Sequence, residues 1–242
     1  FARNVFGSSN VDFFEHIEYD KVDDFLGVAD RSPNSTGAKE VGSGTNGRGI
    51  SAKEFEDALK NGKIKALYIL EENFKNHEHL IPLLDKPELL IVHYYNHNAI
   101  TQKADIIFAA ATYAEIEGIY TNKHKRVQHF TPALVTKENL RYMGMKMSRL
   151  DKFGSFNDRW TQHDIRNCKQ SWKVITLLAQ KFGHDFAFKK SEDVFDELVQ
   201  KIASFKHMSY DKLDEFKGLV LNKGDKPDPK INHYQSHVLK PH

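Results

Sequence analysis

Three histidine pairs stand at spacings that a metal ion could use: His77-x-His79, His93-x-x-x-His97 and His233-x-x-x-His237. Residues two apart share a face of a strand, and residues four apart share a face of a helix, so each pair could offer two imidazoles to one ion. None stands in an H-E-x-x-H arrangement. His93 and His97 straddle a predicted strand end, where an i,i+4 pair does not share a face, and solvated or hydrogen-bonded histidines are the plain alternative for all three pairs. Gly42-Ser43-Gly44-Thr45-Asn46-Gly47 has the G-x-G-x-x-G spacing of a phosphate cradle before a helix. It stands well behind the nearest predicted strand, as an ordinary loop would.

Cys168 has Lys169 beside it, and a neighbouring cation can lower a thiol pKa. The sequence places no histidine partner for it. As the only cysteine, it excludes an internal disulfide, a thiolate zinc site and an iron–sulfur cluster held by four cysteines of these residues. Lys123-His124-Lys125-Arg126 follows Gly118, read as a turn, and could meet a phosphate or carboxylate at the C-terminal edge of a sheet; a solvated hairpin tip reads the same way. Between Lys137 and Trp160, cations such as Arg141, Lys146, Arg149 and Lys152 interleave with Met143, Met145, Met147, Phe153 and Phe156. That mixture suits a surface for docking a protein partner, and equally a helix with one buried face.

The elements that must position these groups alternate. Asp24–Asp30 reads as a first strand, emptying into a polar, glycine-rich loop over 31–49. Ser51 with Glu54 forms a capping box for a helix whose Phe55, Ala58 and Leu59 share a face and which Gly62 ends. Ile64–Leu70 is apolar enough for a strand covered on both faces. A helix over 74–84, a strand over 88–94 and a strand over 104–109 follow. Strands alternating with helices through short loops predict a parallel sheet with right-handed crossovers.

From Pro132 onward the pattern is helical only. One helix runs from Ser171 to Phe182 and stops at Gly183; another is capped by Ser191; a short one spans 209–216. The division expected is an α/β unit over 1–132, a helical extension over 133–221 and an extended tail over 222–242. Phe1 to Gly7 lack an initiating Met and read as the end of an apolar helix, the pattern of a fragment or processed chain.

Composition sets the outer limits. The 242 residues suffice for one large domain or two small ones with real cores. With 40% apolar and 28% charged residues, wholesale disorder is excluded. The 35 basic and 33 acidic residues nearly cancel, so no field directed at nucleic acid is present. Apolar runs such as Leu89–Val92 are far too short to span a bilayer, and no insertion in a membrane is expected.

Residues 104–122, Ala-Asp-Ile-Ile-Phe-Ala-Ala-Ala-Thr-Tyr-Ala-Glu-Ile-Glu-Gly-Ile-Tyr-Thr-Asn, followed by Arg126-Val127-Gln128, resemble the hallmark of the molybdopterin oxidoreductase superfamily: A-D-[VI]-[VI]-L-P-x-x-[TA]-[YFW]-x-E-x-x-G-[TV]-[YF]-[TV]-N, then R-V-Q. Three further stretches are similar to family segments. Ala29–Gly42 resembles A-N-x-x-G-A-x-x-x-G; Leu59–Asn73 resembles L-x-x-G-x-I-K-A-L-x-x-x-G-x-N; and Gln170–Gly183 resembles the W-x-I-[IL]-x-x-L-A-x-x-x-G helix. The resemblance implies a Rossmann-like, mostly parallel α/β fold with flanking helices and a helical C-terminal segment.

Within the superfamily the likeness is greatest to the large iron–sulfur subunit of respiratory NADH:quinone oxidoreductase (complex I). That resemblance implies a cofactor-free scaffold. It would be peripheral, on the cytoplasmic or mitochondrial-matrix face of a respiratory membrane, partnered by other subunits of the complex, with iron–sulfur clusters in an upstream portion. The alternative is a fragment of a molybdenum or tungsten formate dehydrogenase-like oxidoreductase that helps bind a pterin nucleotide. Asn122, Arg126 and Gln128 would then be contact residues, and this segment would supply no metal ligand and no catalysis of its own.

A third possibility is a stand-alone docking module. The chain departs from the family pattern at Phe108-Ala109 in place of L-P, at Lys123-His124-Lys125-Arg126 in place of T-E-G-R, at Glu72 where a glycine is usual, and in a long insertion over 138–166.

Overall fold

Leu67, Ile69, Leu90, Val92 and Tyr94 turn one face of a parallel sheet toward a shared apolar core. A computed structural model describes residues 1–8, 10–14, 32–42, 52–134, 136 and 168–221. It opens with helix α1 (Ala2–Phe6), then α2 (Ser35–Glu40) and α3 (Ala52–Lys60). Strands β1 (Ala66–Leu70), β2 (Leu89–Tyr94) and β3 (Ile106–Ala109) follow and pair in the order β1-β2-β3, all parallel. The register sets Leu70 beside His93 and His93 beside Phe108.

Phe55 and Leu59 of α3 fill the core with Phe74, Leu80, Leu84 and Ile100, all but one of these six within 2% of complete burial. Burying each such side chain contributes roughly 1.5–3 kcal/mol. β2 is the strand that is buried along most of its length. β1 is less covered than expected, with Leu70 42% exposed, because it lies at the edge of the described sheet. The strand read over 24–30, the glycine-rich run after Gly42, the Ser51 cap, the mixed surface between 137 and 160 and the tail over 222–242 lie outside the described residues.

The helix expected from Phe74 begins only at Glu78 and is a 3-10 helix, Glu78–Asp85. Pro82 stands inside the helix that does form, so the start is set by the backbone ahead of it. The chain instead leaves β1 through two left-handed residues, Glu71 (φ 56°) and Phe74 (φ 53°). Glu72 Oε1 accepts from the N–H groups of Asn73 and Phe74 at 2.8 and 2.7 Å, and Asn73 Oδ1 accepts from Lys75 N–H at 2.9 Å. The glycine-like position is therefore Glu71 rather than Glu72. Counting four on from Leu67 in the L-x-x-x-G spacing arrives at the same residue.

A second sheet follows. β4 (Gly118–Thr121) and β5 (Arg126–Phe130) form an antiparallel hairpin. Gly118 begins a strand rather than making a turn; the turn is at 122–125, closed by Lys125 at φ 61°. Asn122 Oδ1 accepts from His124 and Arg126 N–H at 2.9 and 3.0 Å, and Asn34 Oδ1 accepts from Thr121 N–H at 2.8 Å to tie the α2 entrance to β4.

Helices α4 (Ser171–Lys181), α5 (Ser191–Lys201) and α6 (Tyr210–Glu215) come next. Gly183 (φ 81°) follows the end of α4, as expected. Ser191 does not cap α5. Asp193 folds back to accept from Lys189 and Lys190 N–H at 2.7 and 3.0 Å, which releases the Ser191 hydroxyl for a tertiary contact. Ser209 does cap α6, accepting from Lys212 N–H at 3.3 Å.

The segment after Pro132 is not helical throughout: β6 (Leu219–Val220) adds antiparallel to β5. Two residues are too few to show a period in sequence. Gly218 (φ 104°) makes the approach possible, since a Cβ there would stand 2.6 Å from the Val127 carbonyl oxygen. Val127, Phe195, Phe205, Met208, Tyr210, Leu213 and Leu221 form the core under this sheet. No helix among the described residues is long and apolar enough to cross a membrane.

Candidate functional site

At the C-terminal ends of β2 and β3 an open cleft of about 530 Å³ lies between Tyr95-Asn96 on one side and Ala109-Ala110 on the other. In open α/β sheets this is the edge at which ligands are received. The far wall is built by long-range pairing. Ala110 N–H donates to the Tyr94 carbonyl at 3.0 Å, Ala111 N–H donates to the Lys169 carbonyl at 3.0 Å, and Ala110 pairs in parallel with Lys169. The sheet thus continues past β3 and delivers Cys168 into the cleft.

The floor is held by a T-x-x-E turn. Glu115 is 2% exposed, and its Oε2 accepts from Thr112 N–H at 2.8 Å and Thr112 Oγ1 at 2.9 Å. The Cys168 thiol approaches the same oxygen at 3.7 Å. Three small alanines, 109 to 111, leave the space between these groups open.

Behind the cleft, His93 is fully buried in β2. Its Nδ1 lies 3.0 Å from the Tyr68 hydroxyl, and Nε2 has no hydrogen-bond partner among the described residues. Burial holds the imidazole neutral by lowering its pKa to about 4, and burial together with the charge of Glu71 pushes the Tyr68 phenol up to about 12. Phe108 stacks on Tyr68 and meets the His93 ring edge-on. Glu71 N–H donates to the His93 carbonyl at 2.9 Å, while the Glu71 carboxylate accepts from Ser171 Oγ. Tyr94 and Tyr95 stack at 4.4 Å, their hydroxyls 3.2 Å apart, and burial followed by that hydrogen bond raises the Tyr94 phenol to about 12.

The residues singled out from sequence fall in different places. Cys168 is in the cleft. Asn122, Arg126 and Gln128 are on the hairpin of the second sheet. Asn122 closes the turn, Gln128 is exposed on β5, and the Arg126 guanidinium donates to the carbonyls of Phe216 and Lys217 at 3.1 Å, at the C-terminal end of α6. The basic cluster is the tip of that hairpin and not the edge of the parallel sheet; Lys123, His124 and Lys125 are exposed there.

The rings of His77 and His79 lie edge-on 6.1 Å apart, and His93 is buried while His97 is exposed, so neither pair is brought together as ligands. The pair His233 and His237 lies outside the described residues. Among the described residues no group of three or more His, Cys, Asp or Glu side chains is placed to hold a metal ion. Sequence reasoning missed Tyr95, Asn96, Thr112 and Glu115 as site residues. Thr112 and Glu115 are two of the hallmark positions, and their T-x-x-E spacing was the signal that could have found them.

The lining contains a flat aromatic ring, an amide, a hydroxyl and a carboxylate, and no Lys or Arg. Such a set of groups suits a ligand held by stacking and hydrogen bonds; a diphosphate would need cations or free N–H groups from elsewhere. Comparison with known proteins bears on the same residues. The family model for molybdopterin oxidoreductase matches residues 10–143, more than half of the chain and all of β1 to β5.

Among similar proteins, a provisionally named formate dehydrogenase of Staphylococcus haemolyticus is 23% identical over 222 residues, 90% of this chain and 19% of its own length. Provisionally named formate dehydrogenases of Bacillus subtilis and Staphylococcus aureus are 22% and 20% identical over 170 residues, 69% of this chain and 14% of their own lengths. The chain therefore spans a fifth or less of the length of these curated relatives. The hallmark, the parallel sheet that carries it and the family match over 10–143 agree: this chain belongs to the molybdopterin oxidoreductase family.

Proposed function

We propose that the chain is a segment of a formate dehydrogenase-like molybdopterin oxidoreductase and that its cleft receives the nucleoside end of the pterin dinucleotide. The observation that carries this reading is the coincidence of site and family. The cleft opens at the C-terminal edge of the parallel sheet, and Thr112 and Glu115 of its lining are hallmark residues within the matched span, with Ala109 standing where the family pattern has proline. The names of the relatives support the formate dehydrogenase-like alternative over a cofactor-free complex I scaffold, which they do not support.

In this reading Tyr95 offers a ring face for stacking, the Asn96 amide offers a donor and an acceptor, and the Thr112 hydroxyl, its proton given to Glu115, offers an acceptor to a base or ribose. Glu115 keeps the Thr112 turn in shape. The expected contacts thereby move from Asn122, Arg126 and Gln128 to the cleft. When bound, molybdopterin supplies the metal centre at which two-electron oxidation takes place; this segment binds and orients its nucleotide. The test is thermal unfolding of the chain with molybdopterin guanine dinucleotide added. The melting temperature rises with ligand concentration, and the rise is lost in Asn96→Ala combined with Thr112→Val. No shift at saturating ligand refutes the reading.

A further inference from the structure

His129, on β5, is where the second sheet meets the helices that follow it. Its side chain is 4% exposed. Nδ1 lies 2.8 Å from Asp214 Oδ1 on α6, and Nε2 lies 3.5 Å from Glu117 Oε1, immediately ahead of β4. The ring stacks on Tyr210 of α6 with centroids 4.0 Å apart. The other oxygen of Glu117 accepts from Ser191 Oγ, the first residue of α5, at 2.6 Å.

The groups facing the imidazole are thus two carboxylates and a phenol. Glu192 and Asp196 of α5 add negative charge around that phenol. On the strand of His129 itself, the Arg126 guanidinium is turned away to the carbonyls of Phe216 and Lys217.

A neutral imidazole has one N–H. If that proton is on Nδ1 and donated to Asp214, the Nε2 lone pair is left facing the Glu117 carboxylate, which repels it. The imidazolium presents an N–H to Asp214 and its positive charge to Glu117, whose Oε1 at 3.5 Å pairs with it by charge without a hydrogen bond. Burial, the largest single influence on the ring, pulls its pKa down, but the hydrogen bond to Asp214 and the negative charges of Asp214 and Glu117 together overcome this and leave it raised above the ordinary imidazole value.

We propose that His129 is a protonation-dependent latch: as an imidazolium it clamps α5 and α6 onto the β4–β5 hairpin, and on losing its proton it lets α6 and β6 open from the sheet. A histidine whose folded pKa exceeds its unfolded value contributes stability that is complete below about pH 6.5 and is lost as pH rises through the folded pKa. Ser191 extends the clamp to α5, because the same Glu117 carboxylate holds both the ring and the α5 N-terminus.

The experiment is an NMR titration of the histidine rings in the full chain from pH 5 to 9, with amide exchange protection factors for 211–220 measured at each pH. The expected midpoint for His129 lies above the ordinary imidazole value of about 6.5. Protection in 211–220 falls as the pH rises to that midpoint, about tenfold for each unit by which it exceeds the unfolded imidazole value.

Asp214→Asn removes one charge at a position 63% exposed, where the fold tolerates the change. It lowers the His129 midpoint and shrinks the fall in protection. His129→Gln makes protection independent of pH over the same range. A midpoint at or below about 6.5, or protection factors that do not change through the titration, overturns the proposal.

Discussion

Cys168 and Glu115, 53 residues apart in the chain, face one another across the cleft with the thiol sulfur 3.7 Å from the carboxylate oxygen. Their meeting depends on the Ala110–Lys169 pairing, which carries the parallel sheet one position past β3. Glu115 is also the acceptor for both donors of Thr112, so one buried carboxylate holds the turn and the facing wall together.

Replacing Glu115 by Ala leaves the Thr112 N–H and hydroxyl without that acceptor in a half-buried turn. The cost is about 1–3 kcal/mol, a drop of several degrees in melting temperature. Glu115→Gln keeps one oxygen as acceptor and loses less. Equal melting temperatures for the Ala variant and the parent chain would show that the turn does not depend on this carboxylate.

Glu71 is held at φ 56°, a region that costs a residue with a Cβ about 1 kcal/mol relative to glycine. Its carboxylate also accepts from Ser171, so Glu71→Gly gains in backbone and loses in side chain. Comparing Glu71→Gly with Glu71→Ala cancels the side-chain loss. The Gly variant is more stable than the Ala variant by about 1 kcal/mol in denaturant titrations, and the reverse order is inconsistent with a left-handed residue here.

His93 predicts an acid weakness. Its pKa is about 4 in the folded chain against 6.5 when exposed, so the unfolded chain takes up a proton first as the pH falls. Stability contributed by the neutral ring is complete above pH 6.5 and declines toward pH 4, by on the order of 2–3 kcal/mol. Urea unfolding at pH 7 and pH 4.5 checks this. The parent chain loses more stability between the two than His93→Gln does, and parallel losses would mean that His93 is not the group responsible.

Arg126 donates to the last carbonyls around α6, where a cation also meets the negative end of the helix. Arg126→Gln costs about 1 kcal/mol and speeds amide exchange in 213–218, with no change in the parallel sheet. Uniform faster exchange throughout the chain would point to general destabilisation rather than loss of this clamp.

Much of the architecture was legible from local pattern. Phe55 and Leu59 one turn apart marked α3, the short apolar runs marked β1 to β3, and Gly183 marked the end of α4. Ser191 shows where local pattern stops: it has the residue type of a cap, yet Asp193 takes over the capping, and the hydroxyl goes to Glu117, 74 positions away. The Phe74 helix failed for a related reason, because apolar spacing does not register the two left-handed residues, Glu71 and Phe74, that keep the chain out of a helix before Glu78. The strand β6 was invisible because two residues carry no period, and its place is set by Gly218 and the partner Val127.

The sequence by itself determined the family and the parallel sheet, because hydrophobic periodicity and an ordered motif are properties of neighbouring residues. Only the tertiary structure decided which side chains share a site. Arg126 and Gln128 stand beside the hallmark in the chain but belong to a hairpin, while Cys168 stands far from it and lines the cleft. Periodicity assigns a residue to a face of its own element; pairing between distant strands decides which faces meet.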